Sequence, residues 1–364
     1  MSGLPEGWSD RLNQLGRPVG TPDRPAPEAG DPGVPGVPGV PGVPRAPRRR
    51  WGRRIVVAIA VLLALLLILL VWMDTRLKRV DALADYSGRP AVTPGTDWLI
   101  VGSDSREGLD SARRKELATG EAAGRRTDTM MLLHIPRGVG GSPTLVSLPR
   151  DSYVPIPGHG SNKLNAAYAF GGPKLLARTV EGVTGIRIDH YMEVGFDGFA
   201  NAVDAVGGVR ICVDKPMHDP KAGLDIGAGC QVLNSREALG YVRTRASPRA
   251  DLDRVERQRQ FLGALVSKAT SLGVLLNPFR SIPLALHGTD SIAVNRSDHL
   301  NHLIRFPFAM RGVSSGDGVA TTVPIARTEV IAGAGSVVRW DRQKALALFD
   351  ALRQDRSVKN LVSG

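Results

Sequence analysis

Hydrophobic positions form one long uninterrupted run, and the rest of the chain has short runs separated by polar and turn-forming residues. The long run, Ile55–Met73, contains 19 residues and no charge. As an α-helix it would extend about 28 Å, close to the thickness of the hydrocarbon core of a bilayer. The pattern therefore predicts a single transmembrane helix near the N-terminus, followed by a globular domain.

Basic residues on both sides of this run predict its orientation. Six arginines precede it and three basic residues follow it: Arg45, Arg48, Arg49, Arg50, Arg53 and Arg54, and then Arg76, Lys78 and Arg79. Because the flank richer in Lys and Arg stays in the cytoplasm, we expect a single-pass type II protein of the cell membrane with an extracytoplasmic domain. A cleaved signal peptide is the alternative, but the run starts beyond residue 50 and lacks an Ala-x-Ala end.

The short runs alternate between the patterns of strands and helices. Continuous β-formers predict strands, and apolar residues at helical spacing predict helices. The predicted strands are Trp98–Val101, Thr129–Ile135, Thr144–Leu148, His190–Val194 and Val209–Val213, and the predicted helices are Lys163–Phe170, Pro173–Gly182, Phe196–Val206 and Asp251–Ala269. This alternation predicts an α/β fold, an α-β-α sandwich with a mixed central sheet.

Composition divides the chain into five predicted segments. The N-terminal segment is rich in Pro, Gly and Arg and repeats Gly-Val-Pro four times within Gly33–Pro44, so we expect it to be disordered. The segments are a cytoplasmic tail at 1–54, the transmembrane helix at 55–73, a juxtamembrane stalk at 74–95, a domain at 96–355 and a tail at 356–364.

A predicted hairpin brings two polar motifs together. The second and third predicted strands are joined by a segment rich in Gly and Pro, which predicts a tight turn. In an antiparallel hairpin the start of one strand lies beside the end of the next. Asp128 and Arg150 should therefore be neighbours, and the first predicted strand ends just before Asp104 and Arg106.

The helix predicted at Asp251–Ala269 carries polar residues on its apolar face. At 100° per residue, Asp251, Arg254 and Gln258 share a face with apolar residues such as Val255. Burial of these groups without partners would be costly, so the pattern predicts an internal polar pocket. Arginines and isolated carboxylates are the groups that a metal-bound, multiply charged phosphate ester needs.

Composition also restricts the class of partner. The formal net charge is +12, and 42% of the residues are hydrophobic, enough for a sizeable core. A basic domain can bind nucleic acid, but the predicted location favours anionic lipid headgroups or phosphates. The basic motifs also lack interleaved aromatic residues. We therefore expect the membrane, and no nucleic acid, among the partners.

Several other motif classes are absent from the sequence. There is no Gly-x-x-x-x-Gly-Lys-Ser/Thr phosphate loop and no His-Glu-x-x-His zinc motif. Gly312–Gly316 matches Gly-x-Ser-x-Gly formally, but it follows no predicted strand. Cys212 and Cys230 are the only cysteines. In an extracytoplasmic domain, their separation of 18 residues after a strand favours a disulfide over a metal site.

The motifs of residues 97–268 closely resemble the LytR-CpsA-Psr family of cell-wall glycopolymer ligases. They occur in the family's order: Gly102–Arg106, Arg126–Met130, Pro149–Asp151, Lys163–Gly172, Asp189–Phe199, Arg243–Arg245 and Asp251–Gln258. The resemblance implies a phosphotransferase that moves a glycopolymer from a polyprenyl-pyrophosphate donor to a hydroxyl of a peptidoglycan acceptor, releasing polyprenyl phosphate. Val338–Phe349 is expected to be the helix that closes such a domain.

The resemblance also implies roles for individual residues. Asp128 and Asp251 match carboxylates associated with a Mg²⁺ cofactor. The expected catalytic residues are Asp104, Arg106, Asp128, Arg150 and Asp251. The expected substrate-binding residues are Arg126, Lys163, Asn165, Arg243, Arg245, Arg254, Arg257 and Gln258.

Two alternatives stay open at this point. Relatives often carry Gly-Asp-Phe-Gly-Arg where this chain has Ala250–Arg254, so the second carboxylate is Asp251 or Asp253. We prefer Asp251 because it shares a helix face with Arg254 and Gln258. A non-catalytic polyprenyl-phosphate-binding or regulatory protein is the alternative function. The paired acids favour the enzyme, because carboxylates beside a pyrophosphate weaken anion binding unless a metal joins them.

Overall fold

The computed structural model describes residues 50–105, 109–119, 127–138, 141–244 and 251–362. The predicted disorder of residues 1–49 therefore lies outside the described residues, whereas Arg50–Arg54, which were predicted as part of the same tail, are helical. Contacts divide the chain into residues Met1–Val57 and Ala58–Gly364, and the fold below is that of the second unit.

Helices and strands alternate along the described chain. The helices are α1 Arg50–Arg76, α2 Ser111–Glu116, α3 Leu164–Thr184, α4 Phe196–Val206, α5 Ser235–Arg243, α6 Asp251–Ala269, α7 Leu272–Leu275, α8 Pro278–Ser291, α9 Leu300–Leu303, α10 Arg305–Ser315, α11 Arg342–Arg353 and α12 Lys359–Val362. The strands are β1 Lys78–Val80, β2 Thr96–Ser103, β3 Thr127–Ile135, β4 Thr144–Ser147, β5 Tyr153–Ile156, β6 Gly160–Lys163, β7 His190–Val194, β8 Val209–Val213, β9 Met217–Asp219, β10 Leu224–Ile226, β11 Gly229–Leu233, β12 Ile292–Asn295, β13 Val319–Thr322, β14 Ile325–Ile331 and β15 Gly335–Trp340.

The apolar run near the N-terminus forms the long helix α1. Its segment Trp51–Arg76 is long and apolar enough to cross a membrane, and its most apolar window of 18 residues has no buried residue. An apolar helix with no protein contact around its circumference is suited to a lipid environment. The structure thus agrees with a membrane anchor at this position.

A seven-stranded sheet forms the centre of the domain, in the order β1-β12-β7-β2-β3-β4-β13. Three neighbouring pairs, β1/β12, β2/β7 and β4/β13, are parallel. The other three pairs, β12/β7, β2/β3 and β3/β4, are antiparallel. The predicted mixed sheet and the predicted β3–β4 hairpin are therefore confirmed.

Alternation along β2 explains why helices cover both faces of the sheet. Leu99 and Val101 are fully buried on one face, in a cluster that includes residues of α3 and α11. Trp98 and Ile100 belong to a second cluster, with Val266 of α6 and residues of α10. Because successive side chains of a strand point to opposite faces, two apolar layers form, and the predicted α-β-α sandwich is confirmed.

A glycine pair bends α3 where the sequence separates two predicted helices. Gly171 and Gly172 have non-helical backbone angles, and Gly172 has a φ of 63°. This left-handed conformation favours glycine. Pro173 follows directly and would disrupt a continuous helix, so the bend allows the chain to turn and continue as a helix to Thr184.

The segment predicted as a juxtamembrane stalk is instead part of the domain. β1 pairs with β12 at the edge of the sheet, and Ala82 is buried in the core. The side-chain oxygen of Asn295 accepts hydrogen bonds from the backbone N–H groups of Ala82 and Leu83, at 3.1 and 2.9 Å. The stalk prediction is wrong because a strand this short has no apolar pattern of its own.

The C-terminal predictions also need correction. Val338–Trp340 belong to β15, which pairs with β14, and the closing helix begins only at Arg342, after Asp341 caps it. Val358, within the predicted tail, is fully buried in the core. The family resemblance implied a helix from Val338 onward, but pairing with β14 determines the structure of its first residues.

A smaller layer of α4, α5 and two hairpins packs beside α6. β8 and β11 are antiparallel and place Cys212 directly opposite Cys230. The two cysteines form a disulfide. Val203, Leu233 and Phe261 are buried in the apolar cluster of this layer. The layer thus covers one side of α6 and fixes its position over the sheet.

A buried histidine joins the central sheet to the C-terminal end of α11. His134 Nδ1 lies 2.9 Å from Asp97 Oδ1, and its Nε2 lies 3.0 Å from Asp355 Oδ1. Burial by itself lowers the pKa of His134, but the hydrogen bonds and negative charges of the two carboxylates outweigh it and raise the pKa above 6.5. Burial raises the pKa of Asp97, and the His134 interaction opposes that change.

We predict that this cluster makes stability depend on pH. Because the folded pKa of His134 is raised, its contribution is full below pH 6.5 and is lost as the pH rises through the folded value. His134→Gln should lower the unfolding temperature of the full chain in detergent more at pH 6 than at pH 9. Tryptophan fluorescence during thermal unfolding measures this, with the exposed His218 changed to Gln as the control. An equal loss at both pH values would contradict the prediction.

Candidate active site

Three strands deliver polar residues to one edge of the sheet. Asp104 follows the end of β2, and Asp128 lies near the start of β3, where Ser103 is opposite Thr127. Arg150 follows β4, whose pairing with β3 continues through the hydrogen bond from Leu148 N to Met130 O. Antiparallel pairing therefore brings the predicted neighbours Asp128 and Arg150 together.

Asp128, Arg150, Asp151 and Lys163 form a chain of ion pairs at this edge. Arg150 Nη1 donates to Asp128 Oδ1 at 2.7 Å, and Arg150 Nε lies 3.3 Å from Asp151 Oδ2. Lys163 Nζ lies 2.8 Å from Asp151 Oδ1. We name this set the charge chain. Because its charges alternate, the two cations are held close together beside the sheet edge.

Backbone contacts fix the cations of the charge chain. β5 and β6 pair so that Lys163 lies opposite Tyr153. The backbone N–H of Leu164 donates to Ser152 O, and that of Asn165 donates to Arg150 O at 3.1 Å. The first turn of α3 is thus attached to the segment that carries Arg150. Asn165 is half-buried in this turn.

The N-terminal half of α6 directs polar groups inward, as its periodicity predicts. The exposed fractions of Arg254 and Gln258 are 3% and 8%. Gln258 Nε2 donates to Val242 O at 3.2 Å, and Arg257 Nη2 donates to Thr244 O at 2.7 Å. Burial lowers the pKa of Arg257, but a guanidinium stays charged. These contacts attach α6 to the end of α5.

Arg243, the last residue of α5, is held by two different groups. Its Nη1 donates to Ala118 O at 3.1 Å, and its guanidinium carbon lies 5.1 Å from the centroid of the Phe196 ring. A cation over an aromatic face is attracted by the ring quadrupole. The contacts orient Arg243 at the junction of α4, α5 and the loop after α2.

An apolar cavity of about 290 Å³ lies behind these charged groups. Its polar lining residues are Ser103, Asp104, Asp128, Thr129, Arg243, Arg254 and Gln258, and its apolar walls include Ile100, Met131, Phe199, Leu239, Val242, Phe261, Leu262, Leu265 and Phe306. The sheet forms one wall, and α4, α5, α6, α8 and α10 contribute to the others. A ligand that fits this cavity has an apolar body and a charged or strongly polar end.

The polar lining also suits a hard divalent cation. Asp104 and Asp128 both line the cavity, and carboxylate oxygens are the ligands that Mg²⁺ prefers. A carboxylate can accept from an arginine and still contact a cation, because its two oxygens offer about four lone-pair sites. The donor chemistry at this end of the cavity therefore fits Mg²⁺.

Some predicted site residues lie outside the part of the chain that the structure describes. These are Arg106, Arg126 and Arg245, together with the side chain of Asp251. The other predicted residues lie on the charge chain, on the first turn of α3, after β2, or at the α5–α6 junction. The described residues thus bring most of the predicted set to one side of the domain.

Sequence reasoning did not assign two residues of this region. Asp151 was part of the Pro149–Asp151 motif, and its position between two cations could have been inferred from the neighbouring Arg150. Phe196 begins the predicted apolar helix, but nothing in the periodicity indicates that its ring faces Arg243. Of the two helices α4 and α5 that contribute walls, the sequence predicted α4 as an apolar-periodic helix and did not predict α5.

Comparisons with known proteins agree on one family. The sequence profile of the LytR_cpsA_psr family matches residues 76–297. A probable cell wall biosynthesis protein, LcpB of Corynebacterium glutamicum, is 52% identical over 297 residues, covering 81% of this chain and 69% of LcpB. The cell wall biosynthesis protein LcpA of the same organism is 33% identical, covering 71% of this chain and 56% of LcpA.

A solved structure shows the same fold. The LytR-Csp2A-Psr enzyme from Actinomyces oris superposes with a TM-score of 0.59 at 21% identity, covering 76% of this chain and 96% of that one. At this identity the likeness concerns the fold. The chain spans little more than half the length of LcpA.

We predict that the charge chain stabilises the domain. Asp151→Asn leaves Arg150 and Lys163 as close cations with side chains only 18% and 24% exposed. The free energy of unfolding should fall by about 1.5–3 kcal/mol, the usual value of a charged hydrogen bond. Denaturant unfolding of the full chain in detergent measures it.

The matched control is Asp81→Asn. Asp81 lies 3.8 Å from Lys174, and both side chains are more than half exposed, so its loss should change the free energy of unfolding by less than about 0.5 kcal/mol. Equal effects of the two substitutions would show that the charge chain has no special contribution.

Proposed function

This chain belongs to the LytR-CpsA-Psr family of cell-wall biosynthesis proteins, and we propose on that basis that it is a glycopolymer–peptidoglycan phosphotransferase. Its donor is a glycopolymer on a polyprenyl-pyrophosphate carrier, and its acceptor is a hydroxyl of peptidoglycan. The products are a phosphodiester-linked glycopolymer and polyprenyl phosphate.

The combination of an apolar cavity with charged residues at one end supports this proposal most directly. A polyprenyl chain is wholly apolar, so its burial among residues such as Phe199 and Phe261 is favourable. The pyrophosphate at its end then lies beside Arg243 and Arg254. A prenyl pyrophosphate combines these two properties in one molecule.

The arginines and Lys163 are suited to hold the pyrophosphate. Guanidinium groups bind phosphate oxygens through two parallel hydrogen bonds. Arg150 is already oriented by Asp128 and Asp151, so little freedom is lost when it binds the donor. Phosphoryl transfer requires mainly such positioning and stabilisation of spread negative charge.

In the transfer step the oxygen of the acceptor hydroxyl forms a bond to the phosphorus that carries the glycopolymer, and the proton of this hydroxyl passes to the departing polyprenyl phosphate. The bond from this phosphorus to the bridging oxygen breaks, and polyprenyl phosphate leaves. The buried Arg254 and Gln258 contribute donors at this end of the cavity, and the apolar walls exclude water. Exclusion of water favours transfer to the sugar hydroxyl over hydrolysis.

Asp128 and Asp251 are the residues that we propose to hold Mg²⁺. A bound Mg²⁺ would neutralise part of the charge of the pyrophosphate oxygens. Asp128 and Asp104 both line the cavity. Asp251 is the first residue of α6, and the buried residues Arg254 and Val255 follow three and four positions later. A metal held by Asp128 and Asp251 would therefore lie near the charged end of the cavity, where we propose that the pyrophosphate binds.

In the proposed topology, the domain and both of its proposed substrates lie on the outer side of the membrane. With α1 in the membrane and the N-terminus in the cytoplasm, the domain that begins after Arg76 lies outside the cell. The polyprenyl carrier is then in the same bilayer, and peptidoglycan is on the same side. The anchor therefore restricts the search for the donor to the membrane surface.

A larger side chain inside the cavity should weaken binding of the polyprenyl donor. Ala202 lines the cavity on α4, and Ala202→Phe should weaken binding of a long-chain polyprenyl pyrophosphate at least tenfold, because the ring occupies the space of the chain. A short-chain donor should lose less. Direct binding to the full chain in detergent measures both affinities.

The control for this substitution is Ala205→Phe, on the same helix but outside the cavity lining. It should leave both affinities within about twofold of the wild type, and the unfolding temperatures show whether each variant is folded. Equal effects of the two substitutions on the long-chain donor would remove the cavity as its binding site.

The carboxylates distinguish an enzyme from a binding protein. Asp128→Ala and Asp251→Ala should each lower transfer of a labelled glycan to peptidoglycan oligosaccharide by at least about a hundredfold. The wild type should need Mg²⁺, and Asp253→Ala should retain most of its activity. Transfer is measured as product formed from a polyprenyl-pyrophosphate donor, beside binding of that donor.

Two outcomes contradict parts of this proposal. If the Asp253 variant is inactive and the Asp251 variant active, the second carboxylate is Asp253. If the wild-type chain binds the donor tightly but forms no product with any acceptor, the protein is a polyprenyl-phosphate-binding protein and not a transferase.

A further inference from the structure

A cluster of two histidines and a buried aspartate lies at the edge of the sheet opposite to the candidate active site. His190 begins β7, which runs parallel to β2, and it lies opposite Trp98. The charged end of the cavity follows the other end of β2. Asp104 comes six residues after Trp98 along the chain, which is about 20 Å of extended strand. The cluster therefore has no part in the proposed transfer.

The three side chains converge on one point. His190 Nδ1 lies 2.6 Å from Asp298 Oδ1, and His302 Nδ1 lies 3.8 Å from the same oxygen. One nitrogen or oxygen from each residue lies within 4.8 Å of those of the other two. Ligand atoms around a tetrahedral zinc ion are about 3.4 Å apart. Small side-chain rotations would thus bring all three to zinc-ligand distances.

We propose that His190, Asp298 and His302 form a binding site for a zinc ion. Two imidazoles and one carboxylate suit Zn²⁺ far better than Mg²⁺ or Ca²⁺, which prefer oxygen ligands alone. Three protein ligands leave a fourth position for water. The His190 and His302 side chains are 16% and 34% exposed, so an ion can reach them from solvent.

The surroundings of Asp298 hold it as a metal ligand requires. Its side chain is 1% exposed, and Oδ2 accepts hydrogen bonds from the backbone N–H groups of Tyr191 and Asn295, at 3.1 and 3.2 Å. Oδ1 consequently faces the two histidines. Outer hydrogen bonds that orient a ligating carboxylate are typical of metal sites in proteins.

The histidines are also prepared for ligation. The ring of His190 packs against that of Trp98, with centroids 4.4 Å apart. His302 Nδ1 accepts a long hydrogen bond of 3.3 Å from the backbone N–H of His299, so it carries no proton, and a zinc ion bound at Nδ1 would take the place of this hydrogen bond. The neutral imidazole is the form that binds metal.

A zinc ion at this site would link three elements of the fold. His190 belongs to β7, Asp298 follows the turn after β12, and His302 lies on α9. Asn295 in the same turn holds the segment at Ala82 and Leu83. The ion would therefore connect β7 of the central sheet to α9 and to the turn after β12, which also holds the segment at Ala82 and Leu83. Binding only the folded state would raise its stability.

The test is metal binding by the full chain in detergent, after treatment with a chelator and in excess Mg²⁺. Calorimetric titration with Zn²⁺ should show one site per chain, and saturation should raise the unfolding temperature by several degrees. Co²⁺ in its place should give visible absorption bands of a four- or five-coordinate site. Excess Mg²⁺ keeps the carboxylates of the candidate active site from contributing.

Variants locate the ion. His302→Gln and His190→Gln should each abolish the titration and the cobalt bands, while His159→Gln, at the exposed turn between β5 and β6, should change neither. An unfolding transition in the metal-free state shows that each variant is folded. The proposal fails if the folded wild type takes up no Zn²⁺, or if both cluster variants bind it as the wild type does. Neither readout depends on transferase activity.

Discussion

Antiparallel pairing of β3 with both β2 and β4 is the constraint on which the rest of the candidate site depends. It fixes the sheet edge at which Asp104, Asp128 and Arg150 emerge. A register shift of one residue would send Asp128 to the opposite face of the sheet and break its 2.7 Å contact with Arg150. The apolar residues of β3 are buried on both faces, so such a shift is strongly disfavoured.

The apolar walls of the cavity strengthen the electrostatic interactions of the polar residues that line its charged end. Arg254 and Gln258 are nearly inaccessible to solvent and lie next to walls such as Phe261 and Leu262. In a region of low effective dielectric, a guanidinium attracts a phosphate much more strongly than in water. Nearby, the guanidinium of Arg257 donates to Thr244 O, and in the proposed complex the pyrophosphate of the donor would offset the cost of burying Arg254.

Local patterns predicted much of the fold. β2, β3, β4, β7 and β8, together with α4 and α6, follow from runs and periods of fewer than twenty residues. Turn chemistry between β3 and β4 also predicted the proximity of Asp128 and Arg150, and helical period predicted the burial of Arg254 and Gln258. These features depend on neighbours in sequence, which a single chain displays directly.

The features that sequence did not reveal depend on contacts between distant segments. β1 is a strand only because β12, about 200 residues later, pairs with it. His134 and Asp355 are 221 residues apart, and the cluster at His190 needs a turn more than 100 residues away. The family resemblance implied a helix from Val338, but pairing with β14 makes Val338–Trp340 a strand. No local pattern carries such information.

The position of β1 has a mechanical consequence. A flexible stalk of about 20 residues would have an end-to-end distance near 25 Å and would let a domain tumble and change height above a surface. Here a single buried residue, Leu77, separates the end of α1 from the sheet. With α1 in a bilayer, the height of the charged sheet edge above the membrane would be set by the dimensions of the fold, and the proposed acceptor would have to reach that height.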